Sequence, residues 1–410
     1  KSTFLREMQE RGYLNQCTDL EKLDSIISKK SVRAYIGFDC TANSLHVGSL
    51  LQIMILRLLQ KHGHKPIVLL GGGTTLIGDP SGKDTTRKIL KQRDIKKNIS
   101  GIKKLFEKLL NFKNKVTKPI FVDNFSWLGK LNYIEFLRDI GSQFTLNKML
   151  TFESVKSRLD REQSLSYMEF NYMILQAYDF FKLYQTEKCL LQLGGSDQWG
   201  NIVNGVDLIR RILQKDAFGL TSPLITLSSG AKMGKTEKGA VWLDEKLFSS
   251  YDYWQFWRNS DDRDVPRFLK FFTDIELDEI KQVEKNKGIN ELKVILANEA
   301  TKILHGKIKS SKAEKTATDI FKLGKINENL PTKKILKKDI ESGINLLELL
   351  VDANIMNSKS EARRAIINNG IKLNDLLVAD VNKILTFSDF KKESMKISFG
   401  KKKHFLFKII

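Results

Sequence analysis

Four short apolar runs punctuate the first half of the chain: "VRAYIGFD" (32–39), "PIVLLGGG" (66–73), "PIFVD" (119–123) and "CLLQLGG" (189–195). Each reads as a strand ending in a turn, and a long apolar-periodic helix from 46 to about 61 separates the first two. Strands that alternate with helices build an α/β fold with a parallel, doubly wound sheet. In such sheets ligands bind at the carboxyl ends of the strands. The unusual polar stretches sit there, at 39–49, 72–83 and 194–201.

One helix breaks its own pattern. "FNYMILQAYDFF" (170–181) reads as a buried helix, yet Tyr172, Gln176 and Asp179 interrupt it at spacings of four and three. Those spacings put all three on one face. A dry, unpaired carboxylate there would be costly, so that face is expected to hold a polar partner.

Two further stretches suit phosphates. "TANSLHVGSLLQIMIL" (41–56) places Thr41, His46 and Gly48 where a strand gives way to a helix. First-turn amides and the helix dipole favour an anion there, and Gly48 removes a side chain that would block a nucleotide. "SSGAKMGKTEKGA" (228–240) is a glycine-flanked loop with Lys232, Lys235 and Thr236, able to close over phosphates. Together they suit attack on an α-phosphate with pyrophosphate leaving.

At 410 residues the chain is too long for one core, so roughly two to four domains are expected. Cys17, Cys40 and Cys189 form no close pair, which points to a reducing compartment without disulfides or structural zinc. No apolar run reaches the length of a membrane span. The net charge of +21 suggests a polyanionic partner, or simply a lysine-rich composition. Its location sharpens the choice. Residues 83–118 hold 13 Lys and Arg against 3 Asp and Glu, and residues 321–410 hold 18 against 10. Two separated basic stretches suit a long nucleic acid better than a small acidic substrate.

"HVGS" and, about 190 residues later, "KMGKT" resemble the two signatures of class I aminoacyl-tRNA synthetases. "GGGTTLIGDPSGK" and "LGGSDQWGNI" look like tyrosyl-tRNA synthetase of the bacterial and organellar type, and the resemblance covers essentially the whole chain. It implies a Rossmann-like catalytic domain (1–227) with a dimerisation insertion (about 125–165) and a mobile loop and connection (228–250). A helical anticodon-region domain (251–320), a linker (321–343) and a C-terminal α+β RNA-binding module (344–410) would follow.

The same resemblance implies that Tyr172, Gln176 and Asp79 hold the α-ammonium of tyrosine, while Tyr35 and Asp179 bond its phenol hydroxyl and Gln198 lies near the reacting carboxylate. Seven helical residues rise about 10 Å, enough for one face to address both ends of the amino acid. Thr41 and His46 would meet the γ-phosphate side of ATP, with Gly48 and Ser49 also at the nucleotide. Lys232, Lys235 and Thr236 would close over pyrophosphate, Gly37 and Asp39 would lie beside the α-phosphate, and Gly195 and Asp197 would hold the ribose. Lys83 and Arg87 are further phosphate contacts, and Mg²⁺ would be bound through the phosphates rather than by a protein cage.

Three positions depart from the family pattern. Ser49 stands where a second histidine is usual, Ile36 where some relatives carry cysteine, and Gly234 where the second signature has serine, giving the loop more freedom. "NSKSEARRAIINNGIKLND" (357–375) resembles a small RNA-binding module first recognised in a ribosomal protein, with Lys359, Arg363 and Arg364 on phosphates. "GKKKHFLFKI" (400–409) adds Lys401, Lys402 and Lys403. The partners implied are tRNA(Tyr), L-tyrosine, ATP and a second copy of the chain, in the cytoplasm or, after loss of a leader, an organellar matrix. The basic 83–118 stretch is a candidate for the acceptor arm. The competing readings are a tryptophanyl-tRNA synthetase, a small adenylyltransferase, or a synthetase-derived RNA-binding or splicing protein.

Overall fold

The computed structural model describes residues 1–79, 90–230, 233–236, 239–323, 332–391, 393–400 and 403–410. The chain forms two units, Lys1–Phe248 with Ser260–Glu299, and Ser249–Asn259 with Ala300–Ile410.

The first unit is built on a six-stranded sheet of β1 (Gln16–Cys17), β2 (Arg33–Asp39), β3 (Lys65–Gly71), β4 (Ile120–Asp123), β5 (Cys189–Gly195) and β6 (Phe218–Ser222). The order across the sheet is β1-β6-β5-β2-β3-β4. All neighbours run parallel except the edge strand β1. After the edge strand β1 the chain crosses to the middle at β2, winds outward through β3 and β4, and returns to β5 and β6 on the other side. This is the doubly wound sheet expected from the strand–helix alternation. Its direction of winding reverses between β2 and β5, which opens a crevice at their carboxyl ends.

The four expected strands match β2 to β5, whereas β6 carried too weak a signal to be foreseen. Its buried positions include Gly219, Thr221 and Ser222, and the two hydroxyls accept from Asn15 at 3.3 Å and Gln52 at 2.8 Å. Polar residues satisfied in this way can fill a central strand without an apolar run.

The helix expected from 46 begins as a tight turn, Val47–Ser49, before α1 (Leu50–Lys61). α1 buries eight apolar residues, more than one stripe, because it packs against the sheet and against helices Thr3–Arg11 and Val265–Phe272. α2 (Gln92–Leu109) buries one face only: Ile95, Ile99, Ile102, Leu105, Phe106 and Leu109. α3 (Tyr167–Glu187) starts at a reciprocal cap between Ser166 and Glu169 and packs on α4 (Trp199–Leu213) and β5. Buried Arg158 pairs with Glu169 at 3.1 Å and ties the preceding helix to that start.

In the second unit, helix Ser250–Arg258 packs on Lys307–Leu323. The tail forms a five-stranded sheet with helices Leu346–Asp352 and Lys359–Ile367 around its own core, which includes Leu350, Ile366, Met395, Ile397 and Phe407. Two boundaries differ from those expected. The helical stretch 251–320 is shared between the units. Thr332–Ile335, inside the expected linker, is a strand parallel to Lys403–Ile409; only Ile335 points inward, so it lacked an apolar pattern. Among the described residues, no helix is long and apolar enough to cross a membrane. The three cysteines are free.

Candidate active site

Tyr35, Gly37 and Asp39 alternate along β2 and so share one face of the sheet. Gly37 is exposed although its strand is central, which marks the open floor of the crevice. The Tyr35 ring packs on Phe180 of α3, centroids 5.3 Å apart. Its hydroxyl is buried and has no hydrogen-bond partner among the described residues. Burial, reinforced by the nearby Asp179 charge, holds its proton far above the usual phenol range.

Asp179 is 1% exposed and is not alone. Trp127 Nε1 donates to one carboxylate oxygen at 2.7 Å, and Asn124 Nδ2 donates to the other at 2.8 Å. Burial pushes this carboxyl up to about 7, the two N–H donors oppose that rise, and Asp39 and Asp123 add to it. Asn124, fully buried, also accepts from Gly73 N–H at 2.7 Å and donates to Thr74 Oγ1 at 3.1 Å. Thr74 in turn donates to Asp39 at 3.0 Å, and the Tyr172 hydroxyl reaches the same oxygen at 3.3 Å. One polar relay therefore runs from Asp179 to Tyr172 through the turns after β3 and β4.

A second relay borders the crevice. Gln198 Nε2 donates to Asp79 at 3.0 Å. Asn201 Nδ2 donates to Gln198 Oε1 at 3.2 Å and to Gln176 Oε1 at 3.1 Å. Residues from the turn after β3, the turn after β5 and the face of α3 are thereby joined.

The two phosphate-type stretches meet. His46 Nδ1 accepts from Gly48 N–H at 3.0 Å. Leu45–Val47 runs beside Val241–Leu243, with Val47 N–H donating to Val241 O at 2.8 Å and Leu243 N–H to Leu45 O at 2.9 Å. Val241 N–H donates to Gly234 O at 3.1 Å. Gly234 has φ +123°, and a Cβ there would lie 3.0 Å from His46 Nδ1. A Cβ on Gly48 would lie 2.7 Å from the same ring and 3.1 Å from Met233 O. A Cβ at either glycine would crowd the His46 ring, and the φ of Gly234 is one that side chains rarely adopt, so the freedom expected of Gly234 serves a close-packed turn.

Residues 28–322 match the family "tRNA synthetases class I (W and Y)", and residues 323–407 match "Tyrosine--tRNA ligase SYY-like C-terminal domain". The chain is 60% identical over 407 residues to a tyrosine–tRNA ligase of Pelagibacter ubique, covering 99% of both. It is 52% identical over 410 residues to that of Caulobacter vibrioides, covering 98% of the relative. The chain belongs to the tyrosyl-tRNA synthetases. A C-terminally truncated mitochondrial tyrosyl-tRNA synthetase from Coccidioides posadasii superposes with a TM-score of 0.67 at 32% identity, over 77% of this chain and 92% of that one. The reaction is thus activation of tyrosine with ATP to the adenylate, then transfer to the terminal adenosine of tRNA(Tyr), and the rival readings fall away.

For a tyrosyl-tRNA synthetase of this type, the structure brings Asp39, Tyr172 and Asp179 into the first relay and Asp79, Gln176 and Gln198 into the second, while the Tyr35 hydroxyl stands outside both. Thr41 and Asp197 are exposed, and Ser49 is half-buried before α1 with no side-chain capping bond. Gly195 ends β5 with a Cβ position 2.6 Å from Asp197 Oδ1. Ile36 is buried in β2 on the face opposite Tyr35 and Gly37. In the tail, Arg363 and Arg364 are exposed, while Lys359 pairs with Glu348 at 2.6 Å. Lys83, Arg87, Lys232, Lys401 and Lys402 lie outside the described residues, as do the side chains of Lys235, Thr236 and Lys403. Asn124, Trp127, Thr74 and Asn201 were not singled out from the sequence. Asn124 follows the last residue of β4, a position where such sheets place ligand-facing groups, so its signal was present.

Proposed function

We propose that the synthetase takes tyrosine with its phenol between Tyr35 and Asp179, its ammonium among Tyr172, Gln176 and Asp79, and its carboxylate beside Gln198. The observation that carries this reading is the buried, unpartnered Tyr35 hydroxyl beside a carboxylate already gripped by two N–H donors. A phenol placed there accepts from Tyr35 and donates to Asp179, which retains lone pairs for it. Phenylalanine would leave the buried Tyr35 hydroxyl unmet, at about 1–3 kcal/mol, and would withhold a further donor from Asp179.

ATP would lie over Gly37 with its α-phosphate near Asp39 and its ribose at Gly195 and Asp197. Thr41, His46, Gly48 and Ser49 would face the triphosphate, and Lys232, Lys235 and Thr236 would close on the pyrophosphate. Catalysis then comes from positioning and from charge stabilisation, with no protein nucleophile. Mg²⁺ would arrive on the phosphates, neutralising their charge. The carboxylates of Asp39 and Asp197 supply hard oxygen donors of the class it takes.

Segment 251–320 and the tail would bind the anticodon region, with Lys359, Arg363, Arg364, Lys401, Lys402 and Lys403 on phosphates. A second copy would cover the insertion, where Tyr133, Ile134, Leu137, Leu146 and Leu159 are between 47% and 68% exposed. A cytoplasmic location is the reading that the bacterial relatives support. ATP–pyrophosphate exchange with tyrosine and phenylalanine tests the pocket. Tyr35→Phe and Asp179→Asn should each cut tyrosine kcat/KM while sparing the KM for ATP, and unchanged tyrosine kinetics in both would refute the assignment.

A further inference from the structure

One exposed stripe of α2 carries Arg93, Lys96, Lys97, Lys104 and Lys108, with Ser100 and Glu107 among them and exposed Asp94 to one side. Successive steps of three, one, three, four, three and one residues place all seven within one stripe, opposite the buried face. At the helical rise of 1.5 Å per residue the stripe is about 22 Å long. None of the five cations forms an ion pair among the described residues. Arg93 with Lys97, and Lys104 with Lys108, are like charges four apart, which repel on an isolated helix.

A lysine-rich composition does not account for the stripe. Helix Leu277–Asn286 mixes Asp278, Glu279 and Glu284 with Lys281 and Lys285, and helix Ile289–His305 mixes Glu291 and Glu299 with Lys293 and Lys302. The α2 stripe instead holds five cations and one acid, Glu107. The loop after α2 continues the charge with exposed Lys113, Lys115 and Lys118.

The middle of the helix also packs on the segment that leads into the active site. Asn98 Nδ2 donates to Cys40 O at 2.8 Å, and Gly101 packs directly on the Asn43 carbonyl. Residues 40–43 lead from Asp39 into the His46 turn. A polyanion lying along α2 would therefore pass beside the segment that leads to the crevice. The tRNA substrate must deliver its 3′ end there.

We propose that the exposed face of α2 is a phosphate track for the acceptor arm of the tRNA. The contacts are with the backbone, so they position the arm without reading its sequence. The test compares Lys97→Gln/Lys104→Gln/Lys108→Gln with a control of equal charge loss on the same unit, at exposed lysines away from any segment assigned to tRNA, Lys29→Gln/Lys30→Gln/Lys215→Gln. Pyrophosphate exchange should stay within about twofold of the parent in both, which certifies the fold and the tyrosine pocket. In aminoacylation, the stripe variant should raise the KM for tRNA about tenfold at low salt. The slope of log KM against log salt should shrink by roughly two to three, as expected for three lost phosphate contacts. The control should change KM by less than about twofold. An acceptor-arm hairpin used as competitor should inhibit the parent more strongly than the stripe variant. Equal effects of the two triple variants, an unchanged salt slope, or equal competition by the hairpin would each overturn the proposal.

Discussion

Burial of Asp179, opposed by the two N–H groups that grip it, sets the pH range in which it can recognise a phenol. Its carboxyl sits at about 7, above the ordinary 3.8, so the ionised acceptor is lost as pH falls through neutrality. The KM for tyrosine should therefore rise below pH 7 while that for ATP does not follow it. Asn124→Ala removes a donor that favours the ionised form, so the same rise should begin at higher pH; exchange assays between pH 6 and 9 would show it. The stability consequence has the opposite slope. Ionising Asp179 is harder in the folded chain than in the unfolded one, so it subtracts stability increasingly from about pH 4 to about pH 7. Asp179→Asn should gain in urea midpoint relative to the parent at pH 8 and not at pH 4. Gly234 gives a second test at this scale. Gly234→Ala would place a methyl against His46 at a backbone angle that L residues rarely adopt, at about 1–2 kcal/mol. Exchange should slow about tenfold or more with the affinity for tyrosine unchanged.

Among the elements, those with a repeating apolar signal were legible and those stabilised by satisfied polar groups were not. β2 to β5 could be read because their interiors are continuously apolar, and α3 because Tyr172, Gln176 and Asp179 break an otherwise apolar helix. β6 and Thr332–Ile335 escaped, the first because hydroxyls fill its buried positions and the second because one residue in four faces inward. Within the site the spacing on α3 was readable, whereas Asn124 and Trp127, which donate to both oxygens of Asp179, carried no such spacing. No local pattern reports a contact made across more than fifty residues. The junction of α2 with residues 40–43 is of the same long-range kind. Gly101 sits against the Asn43 carbonyl, so Gly101→Val should push α2 off that segment, lowering the Tm by several degrees and slowing exchange.

For the whole molecule, charge and assembly become the measurable quantities. Glu7 receives Arg11 at 2.8 Å, Lys61 at 3.0 Å and His62 at 2.8 Å, and these partners hold its carboxyl at about 2 against the pull of burial. Arg11 also donates to the backbone oxygens of Lys270, Thr273 and Ile275, so the cluster fastens 260–299 to the start of the chain. A depressed carboxyl contributes stability above about pH 4.5 that is lost as pH falls toward 2. Glu7→Gln should be less stable than the parent at pH 7, with the gap closing in acid. If a second copy covers the insertion, Ile134→Lys with Leu137→Lys should sediment as a monomer at concentrations where the parent is a dimer.

The interleaving of the two units has a consequence for synthesis on the ribosome. The first unit holds all its residues once Glu299 has emerged, but Ser250–Arg258, with Tyr253, Trp254 and Trp257 buried in the finished protein, must wait for 307–323. At about 5–20 residues per second that interval is roughly one to five seconds. During it a strongly aromatic helix hangs from a nearly complete domain without its cover, which makes it the segment of the nascent chain most exposed to capture by chaperones.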